Sequence, residues 1–205
     1  MRVLDLGLID YEQALSLQLD YHQEVLAGKE EVLLLLEHLP VITLGRHGGE
    51  ENLLLPPNIL EEKGIKLVKS SRGGNITCHF PGQVVAYPIF RLSKRPGGIK
   101  RFFWDLEEVI LQTLLTYEIK ARRIQGLSGV FVGEKKIASI GIGVKKWVSY
   151  HGLALNVTED LSVFRYINPC GLGRQMTSIY LESKYKPSLK QVKEDLLNGF
   201  KKVFA

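Results

Sequence analysis

Cys170 and Lys136 are the side chains of this sequence best suited to covalent chemistry, and each has an unusual setting. Cys170 lies in Ile167-Asn168-Pro169-Cys170-Gly171-Leu172-Gly173-Arg174-Gln175-Met176-Thr177. Pro169 fixes its own φ and biases Asn168 towards extended geometry, while Gly171 and Gly173 relax the backbone after the cysteine. A thiol on a turn is presented in this way. An isolated cysteine is more often buried and inert, but a loop flanked by proline and glycine is a poor place for such a residue. Lys136 lies in Gly129-Val130-Phe131-Val132-Gly133-Glu134-Lys135-Lys136-Ile137-Ala138-Ser139-Ile140-Gly141-Ile142-Gly143, which reads as strand, tight turn, strand. Lys135 falls in the turn and reads as solvated. Lys136 begins the second strand, where alternation puts it beside Ala138 and Ile140 with its ammonium inward; strand-edge lysines also serve as edge protection.

Two further segments are rich in polar groups and glycine. In Arg72-Gly73-Gly74-Asn75-Ile76-Thr77-Cys78-His79-Phe80-Pro81-Gly82-Gln83 the paired glycines let backbone approach a ligand closely. The plain alternative is a β-turn followed by a hairpin strand. In an extended strand Thr77 and His79 share one face and Cys78 takes the other, which predicts a core Cys78 and a pocket-facing His79. The run Ser149-Tyr150-His151-Gly152-Leu153-Ala154-Leu155-Asn156-Val157 opens a strand on a His-Gly pair, with His151 either holding a turn or standing in a pocket wall.

A free thiol with a pKa of about 8.5 is mostly protonated at neutral pH, and a neighbouring ammonium lowers that value. Lys136 suits this role for Cys170. A lysine in a partly apolar site also gives up its proton and accepts another from an attacking amine. Such a dyad fits acyl transfer, with His79 or His151 as rival bases that spacing alone does not separate.

Stepping along the chain, Asp10 with Gln13 reads as a helix cap, followed by the apolar stripe Tyr11, Ala14, Leu15, Leu17, Tyr21 and Val25 up to Gly28. A second helix is predicted over 102–117. A third starts at Ser188 with Gln191 at the box position and Leu189, Val192, Leu196, Phe200 and Val203 on the buried side. Between them, residues 32–36, 41–44, 84–90, 130–132, 137–144 and 152–157 read as strands. Strands in consecutive groups predict an α+β fold, a mixed β-sheet flanked by helices, rather than a doubly wound one. Neither repeats nor linker-like runs divide the chain, so residues 1–205 are expected to form a single domain.

The chain has 205 residues, 45% hydrophobic and 24% charged, an ordinary globular composition. A chain of this size buries roughly 70% of its unfolded surface, enough for a core without staples. Its longest aliphatic run, residues 32–36, is far short of the ~18 residues of a membrane span, and Asp5 interrupts a signal-peptide reading. A cytoplasmic location away from membranes is therefore expected. Two cysteines without paired spacing suggest neither a disulfide scaffold nor a metal site. The formal charge is +5, which favours acidic partners. Arg122-Arg123, Lys135-Lys136 and Lys145-Lys146 are pairs rather than a tract, and no nucleic-acid signature appears, which counts against nucleic acid; an acidic carrier protein suits the charge equally well.

Taken in order, these segments resemble the octanoyltransferase family. The resemblance is carried by Arg72-Gly73-Gly74 with Thr77, His79, Pro81, Gly82 and Gln83; by Gly133 with Lys136-Ile137-Ala138-Ser139-Ile140-Gly141; by His151-Gly152-Leu153-Ala154-Leu155-Asn156; and by Asn168-Pro169-Cys170-Gly171, within a similarity running from about residue 4 to 180. It implies a fold shared with lipoate and biotin protein ligases, a transient octanoyl-thioester on Cys170, and Lys136 lowering that thiol's pKa. Implied substrate contacts fall on Arg72, Gly73, Gly74, Asn75, Ile76, Thr77, Cys78 and His79, on Ser139, Ile140 and Gly141, and on Gly152, Leu153 and Ala154. The implied donor is octanoyl-acyl carrier protein, and Arg91, Lys94, Arg95, Lys100 and Arg101 are candidates to dock it. The implied acceptors are lipoyl domains of 2-oxoacid dehydrogenase E2 subunits and the glycine cleavage H protein. In the family the histidine usually follows an aromatic and precedes glycine; here it lies between Cys78 and Phe80, a difference that bears on pocket shape.

Thioester exchange followed by amide formation runs downhill, so neither ATP, another cofactor nor a metal is expected. The alternatives are an ATP-dependent lipoate-protein ligase on the same scaffold, which needs no nucleophilic cysteine, and a non-catalytic module binding lipoyl domains or acyl carrier, which needs neither Cys170 nor Lys136.

Overall fold

Two helix starts follow directly from side-chain capping. The Asp10 carboxylate accepts from the N–H groups of Glu12 and Gln13, and Ser188 Oγ accepts from Gln191 N–H, so donors with no partner inside the helix are satisfied. The computed structural model describes residues 1–168 and 175–204. In chain order the elements are β1 (Arg2–Ile9), α1 (Tyr11–Leu26), β2 (Val32–His38), β3 (Val41–Leu44), α2 (Pro57–Glu62), β4 (Lys66–Lys69), β5 (Ile76–His79), β6 (Gln83–Ile89), α3 (Gly98–Leu115), β7 (Val130–Val132), β8 (Lys135–Lys145), β9 (Val148–Asn156), α4 (Ile179–Glu182) and α5 (Leu189–Val203).

The fold is α+β, with two sheets in place of the one expected. A six-stranded sheet has the order β1-β2-β6-β9-β8-β7, and a three-stranded sheet the order β4-β3-β5. Each is mixed: β1 and β2 run parallel, as do β3 and β4, and the remaining pairs are antiparallel. The chain changes sheet at Leu39-Pro40, and again at Phe80-Pro81-Gly82. Consequently β5 is not the hairpin partner of β6. It pairs with β3, Thr43 opposite Thr77 and Ile42 opposite Cys78.

The large sheet is covered on both faces. Leu33, Leu35, Val84 and Ala86 pack with Phe102, Leu106 and Ile110 of α3 and with Val192, Leu196 and Phe200 of α5. On the opposite face Leu34, Leu36, Val85 and Tyr87 meet Ala14 and Val25 of α1. With both faces covered, β2, β6 and β9 are buried along nearly their whole length rather than alternately, β9 including the polar Ser149, His151 and Asn156. The small sheet has its own core of Ile42, Leu44, Leu60, Ile76, Cys78 and Phe80, closed by Val163, Phe164 and Ile167.

One irregularity matters for the site. Val130 pairs with Ala138 but Phe131 with Lys136, so β8 carries an extra residue at Ile137. This bulge breaks strand alternation. Ile137, Ala138 and Ile140 belong to the core under α3, while Lys136, Ser139 and Gly141 border the cavity described next, which Ile140 also reaches. The expected alignment of Lys136 with Ala138 and Ile140 is corrected accordingly.

Candidate active site

The loop Ser71–Gly74 runs between β4 and β5 of the small sheet and bridges to the large one through hydrogen bonds. Arg72, nearly buried, donates from Nε and Nη2 to Thr43 Oγ1 at 3.0 and 2.9 Å, from Nη2 to the Thr43 carbonyl at 2.6 Å, and from Nη1 to the Gly73 carbonyl at 3.1 Å. The loop is thereby clamped to β3. Gly73 N–H donates to the Ile142 carbonyl at 2.8 Å, reaching across to β8. That approach depends on Gly141, where a Cβ would lie 3.0 Å from Gly73 O and 3.3 Å from Arg72 Cδ.

A cavity of about 90 Å³ lies at this junction. Arg72, Gly74, Asn75, Ile76, Thr77 and His79 border it from the small-sheet side; Lys136, Ser139, Ile140 and Gly141 from β8; and His151, Gly152, Leu153 and Ala154 from β9. Residues drawn from distant stretches of sequence thus meet around one space. Gly73 is not in the wall, although its backbone ties the wall together. Cys78 is fully buried in the small-sheet core, and burial pushes its thiol well above the ordinary range. Its side chain therefore packs rather than facing the cavity. Cys170 lies outside the described residues.

The chain on either side of the undescribed stretch is anchored. Asn168 N–H donates to the Asn52 carbonyl at 2.8 Å. Beyond the gap, Lys136 N–H donates to the Gln175 carbonyl at 3.0 Å and Thr177 N–H to the Lys136 carbonyl at 2.9 Å. Lys136 is thus paired through its backbone with the segment that follows Cys170. Its ammonium lies 5.7 Å from the Phe131 ring centroid.

Sequence reasoning missed the groups that shape the lysine's surroundings. At Gly129, with φ +104°, a Cβ would come within 2.8 Å of Lys136 Cε. Gly129 N–H donates to Glu107 Oε1 at 3.3 Å, and Glu107 Oε2 accepts from Arg123 Nε at 3.0 Å. Burial raises the Glu107 carboxyl above the ordinary range, against the pull of the Gly129 N–H, Arg123 and Lys136. A signal existed: Glu107 shares a helix face with Ile110 and Leu114, at spacings of three and seven. Tyr11, Tyr87 and Ser128 also line the cavity.

His79 and His151 border the cavity, His38 lies against His79 with ring centroids 5.4 Å apart, and the tautomers of His79 and His38 can be traced. Asn156 Nδ2 donates to the Thr177 carbonyl at 3.0 Å, which turns Oδ1 towards Gln83 Nε2 at 2.9 Å; Gln83 Oε1 then faces His79 Nδ1 at 2.7 Å. His79 is accordingly protonated at Nδ1, with Nε2 left as an acceptor. His38 Nδ1 donates to the Ile9 carbonyl at 3.1 Å and its Nε2 accepts from Tyr87 OH at 2.7 Å. Burial lowers all three imidazoles, His79 well below its ordinary value, His38 to about 4, and His151 to about 3 with help from Arg72. All are neutral at neutral pH, and Arg72 and Lys136 border the same cavity. Among the described residues, no group of three or more His, Cys, Asp or Glu is placed to hold a metal ion.

This chain is similar to known proteins in sequence and in fold. The family model for the lipoyl protein ligase A/B catalytic domain matches residues 10–201. The chain is 53% identical over 207 residues to an octanoyltransferase of Nitratidesulfovibrio vulgaris (strain DSM 19637 / Miyazaki F), covering 100% of this chain and 95% of that protein. It is 48% identical over 206 residues to an octanoyltransferase of Maridesulfovibrio salexigens, covering 100% and 96%. Among solved structures, a chain from the archaeal lipoylation system of Thermoplasma acidophilum, a bi-partite lipoate protein ligase and its E2 lipoyl domain, superposes with a TM-score of 0.79 at 19% identity, covering 99% of this chain and 83% of that one.

Proposed function

The chain belongs to the lipoyl protein ligase A/B catalytic-domain family and is an acyltransferase, and from that premise we propose that it moves an octanoyl group from acyl carrier protein to the target lysine of lipoyl domains through a thioester on Cys170. The observation that carries this reading is the position of Lys136: its side chain borders the cavity, and its backbone is bonded to Gln175 and Thr177. Cys170 is five residues before Gln175 (175 − 170). At no more than about 3.6 Å per residue, the thiol's backbone stays within roughly 18 Å of that anchor.

In the first step the Cys170 thiolate, favoured by the Lys136 ammonium, attacks the carrier thioester, and the carrier's sulfur takes the Lys136 proton and departs as a thiol, leaving the lysine neutral. In the second, the acceptor lysine attacks the octanoyl-thioester, the C–N bond forms, Cys170 departs as thiolate, and the amine's proton passes to Lys136 in its neutral form. The lowered pKa values of His79 and His151 make them poor proton acceptors beside a lysine. The residues bordering the cavity around Arg72–His79, Ser139–Gly141 and Gly152–Ala154 would receive the acyl chain, and E2 lipoyl domains and the glycine cleavage H protein are the proposed acceptors.

The test mixes the protein with octanoyl-carrier and an unmodified lipoyl domain, with and without ATP, and reads intact masses. We expect an octanoyl adduct on the enzyme and then on the lipoyl domain without ATP, lost in Cys170→Ser and retained in Cys78→Ser. Transfer that requires ATP would replace this reading with a ligase; complex formation without transfer would reduce the protein to a binding module.

A further inference from the structure

The turn between β8 and β9 is built against backbone preference. Lys146 and Trp147 have φ of +50° and +60°, a tight hairpin turn normally made by asparagine and glycine. Bulky side chains rarely adopt this conformation, and strain of this kind gathers at functional sites. The turn is nevertheless held firmly. The buried His22 Nε2 lies 3.1 Å from the Lys145 carbonyl and 3.3 Å from that of Val148, and Leu92 N–H donates to the Trp147 carbonyl at 2.7 Å.

What the turn displays is an apolar spot within a basic rim. Trp147 is 54% exposed and Ile99, at the start of α3, 44%. Between them, a Cβ on Gly98 would lie 3.8 Å from the Trp147 ring. Lys94, Lys100, Lys145 and Lys146 are exposed on these same segments. None of them has an ion-pair partner among the described residues, whereas the nearby Arg95 and Arg101 are paired with Glu31 and Asp105.

We propose that this patch is the docking surface for the acidic acyl carrier protein that delivers the octanoyl thioester. The inference rests on the function proposed above and adds the place of the donor. Charge complementarity favours an acidic partner with an apolar side chain to set against Trp147. Reach favours the donor over the acceptor. From Gly141 in the cavity wall to Lys145 is four residues of β8 (145 − 141), about 14 Å of strand. A lipoyl domain presents its amine on a single lysine side chain and must sit over the cavity itself. A carrier presents its acyl group on a long pantetheine arm, so its body belongs some distance away.

The test compares octanoyl-carrier with octanoyl-pantetheine, the same thioester without the protein body, using wild type, Trp147→Gly and Lys145→Glu/Lys146→Glu. Glycine suits positive φ, so Trp147→Gly is expected to fold at least as stably as wild type. Both variants should raise KM for octanoyl-carrier about tenfold or more, as loss of a central aromatic or of rim charges does elsewhere. KM for octanoyl-pantetheine and for the lipoyl domain should stay within twofold. An unchanged carrier KM, an equal loss with both donors, or a rise confined to the lipoyl domain would overturn the proposal. Calorimetric binding of the carrier, which needs no turnover, keeps the two readings apart. Wild type that binds carrier but transfers nothing would sink the proposed reaction, while binding undiminished in the variants would sink the docking surface.

Discussion

At the scale of single residues, the neutral histidine cluster has a thermodynamic signature. His38 titrates at about 4 in the fold because burial disfavours its charged form, against about 6.5 in an unfolded chain. Between those values the unfolded state binds the extra proton, so stability is complete above about pH 6.5 and is lost as pH falls towards 4. For this buried group the loss between pH 7 and pH 5 is on the order of 2 kcal/mol, and His79 and His151 shift in the same direction. Urea midpoints should drop across this range, and drop less in His38→Gln, which keeps a donor for the Ile9 carbonyl and an acceptor for Tyr87. A midpoint unchanged from pH 7 to 5 would contradict the assignment. Residue roles were unevenly legible. Alternation sufficed to separate a packed Cys78 from a cavity-lining His79, since β5 is regular. The same rule failed for Lys136, because nothing in Lys136-Ile137-Ala138 announces a bulge.

Among the elements, the capped helices α1 and α5 and the buried strands were readable, as was the edge strand β7, while two other edge strands were not. The starts of α1 and α5 coincide with their capping residues, while α3 starts at Gly98, before the expected Phe102. β1 and β4 went unseen since each is partly exposed at a sheet edge and carries mixed polarity. Gly129, just before β7, was read only as the first residue of a strand–turn–strand segment, and its packing against Lys136 depends on partners from α3 and β8. In Gly129→Ala the new methyl would meet the Ala138 carbonyl and the Lys136 stem at a φ that alanine avoids. We expect a stability loss of about 1–3 kcal/mol and octanoyl transfer reduced by more than the folded fraction explains, read by initial rates on protein normalised by circular dichroism. Wild-type rates in that variant would show that Gly129 does not shape the lysine's position.

For the molecule as a whole, the class of fold was legible from the grouping of strands, whereas the division into two sheets was not. Pairing of β3 with β5 joins residues that lie 32 to 38 positions apart (76 − 44 and 79 − 41), and local pattern carries no record of such a choice. That division makes the cavity wall a seam between two cores. Across the seam, Gly73 N–H reaches the Ile142 carbonyl and Ser71 Oγ lies 3.2 Å from His151 Nε2. The Gly73 amide therefore times any separation of the two sheets: should the small one part from the large one, that proton becomes free to exchange with water. Its deuterium exchange should be faster than that of core amides in β9 such as Leu153, and should slow severalfold when a non-hydrolysable octanoyl thioether occupies the cavity. Exchange as slow as the core in the empty protein would mean that the two sheets move as one body and that cargo enters by another route.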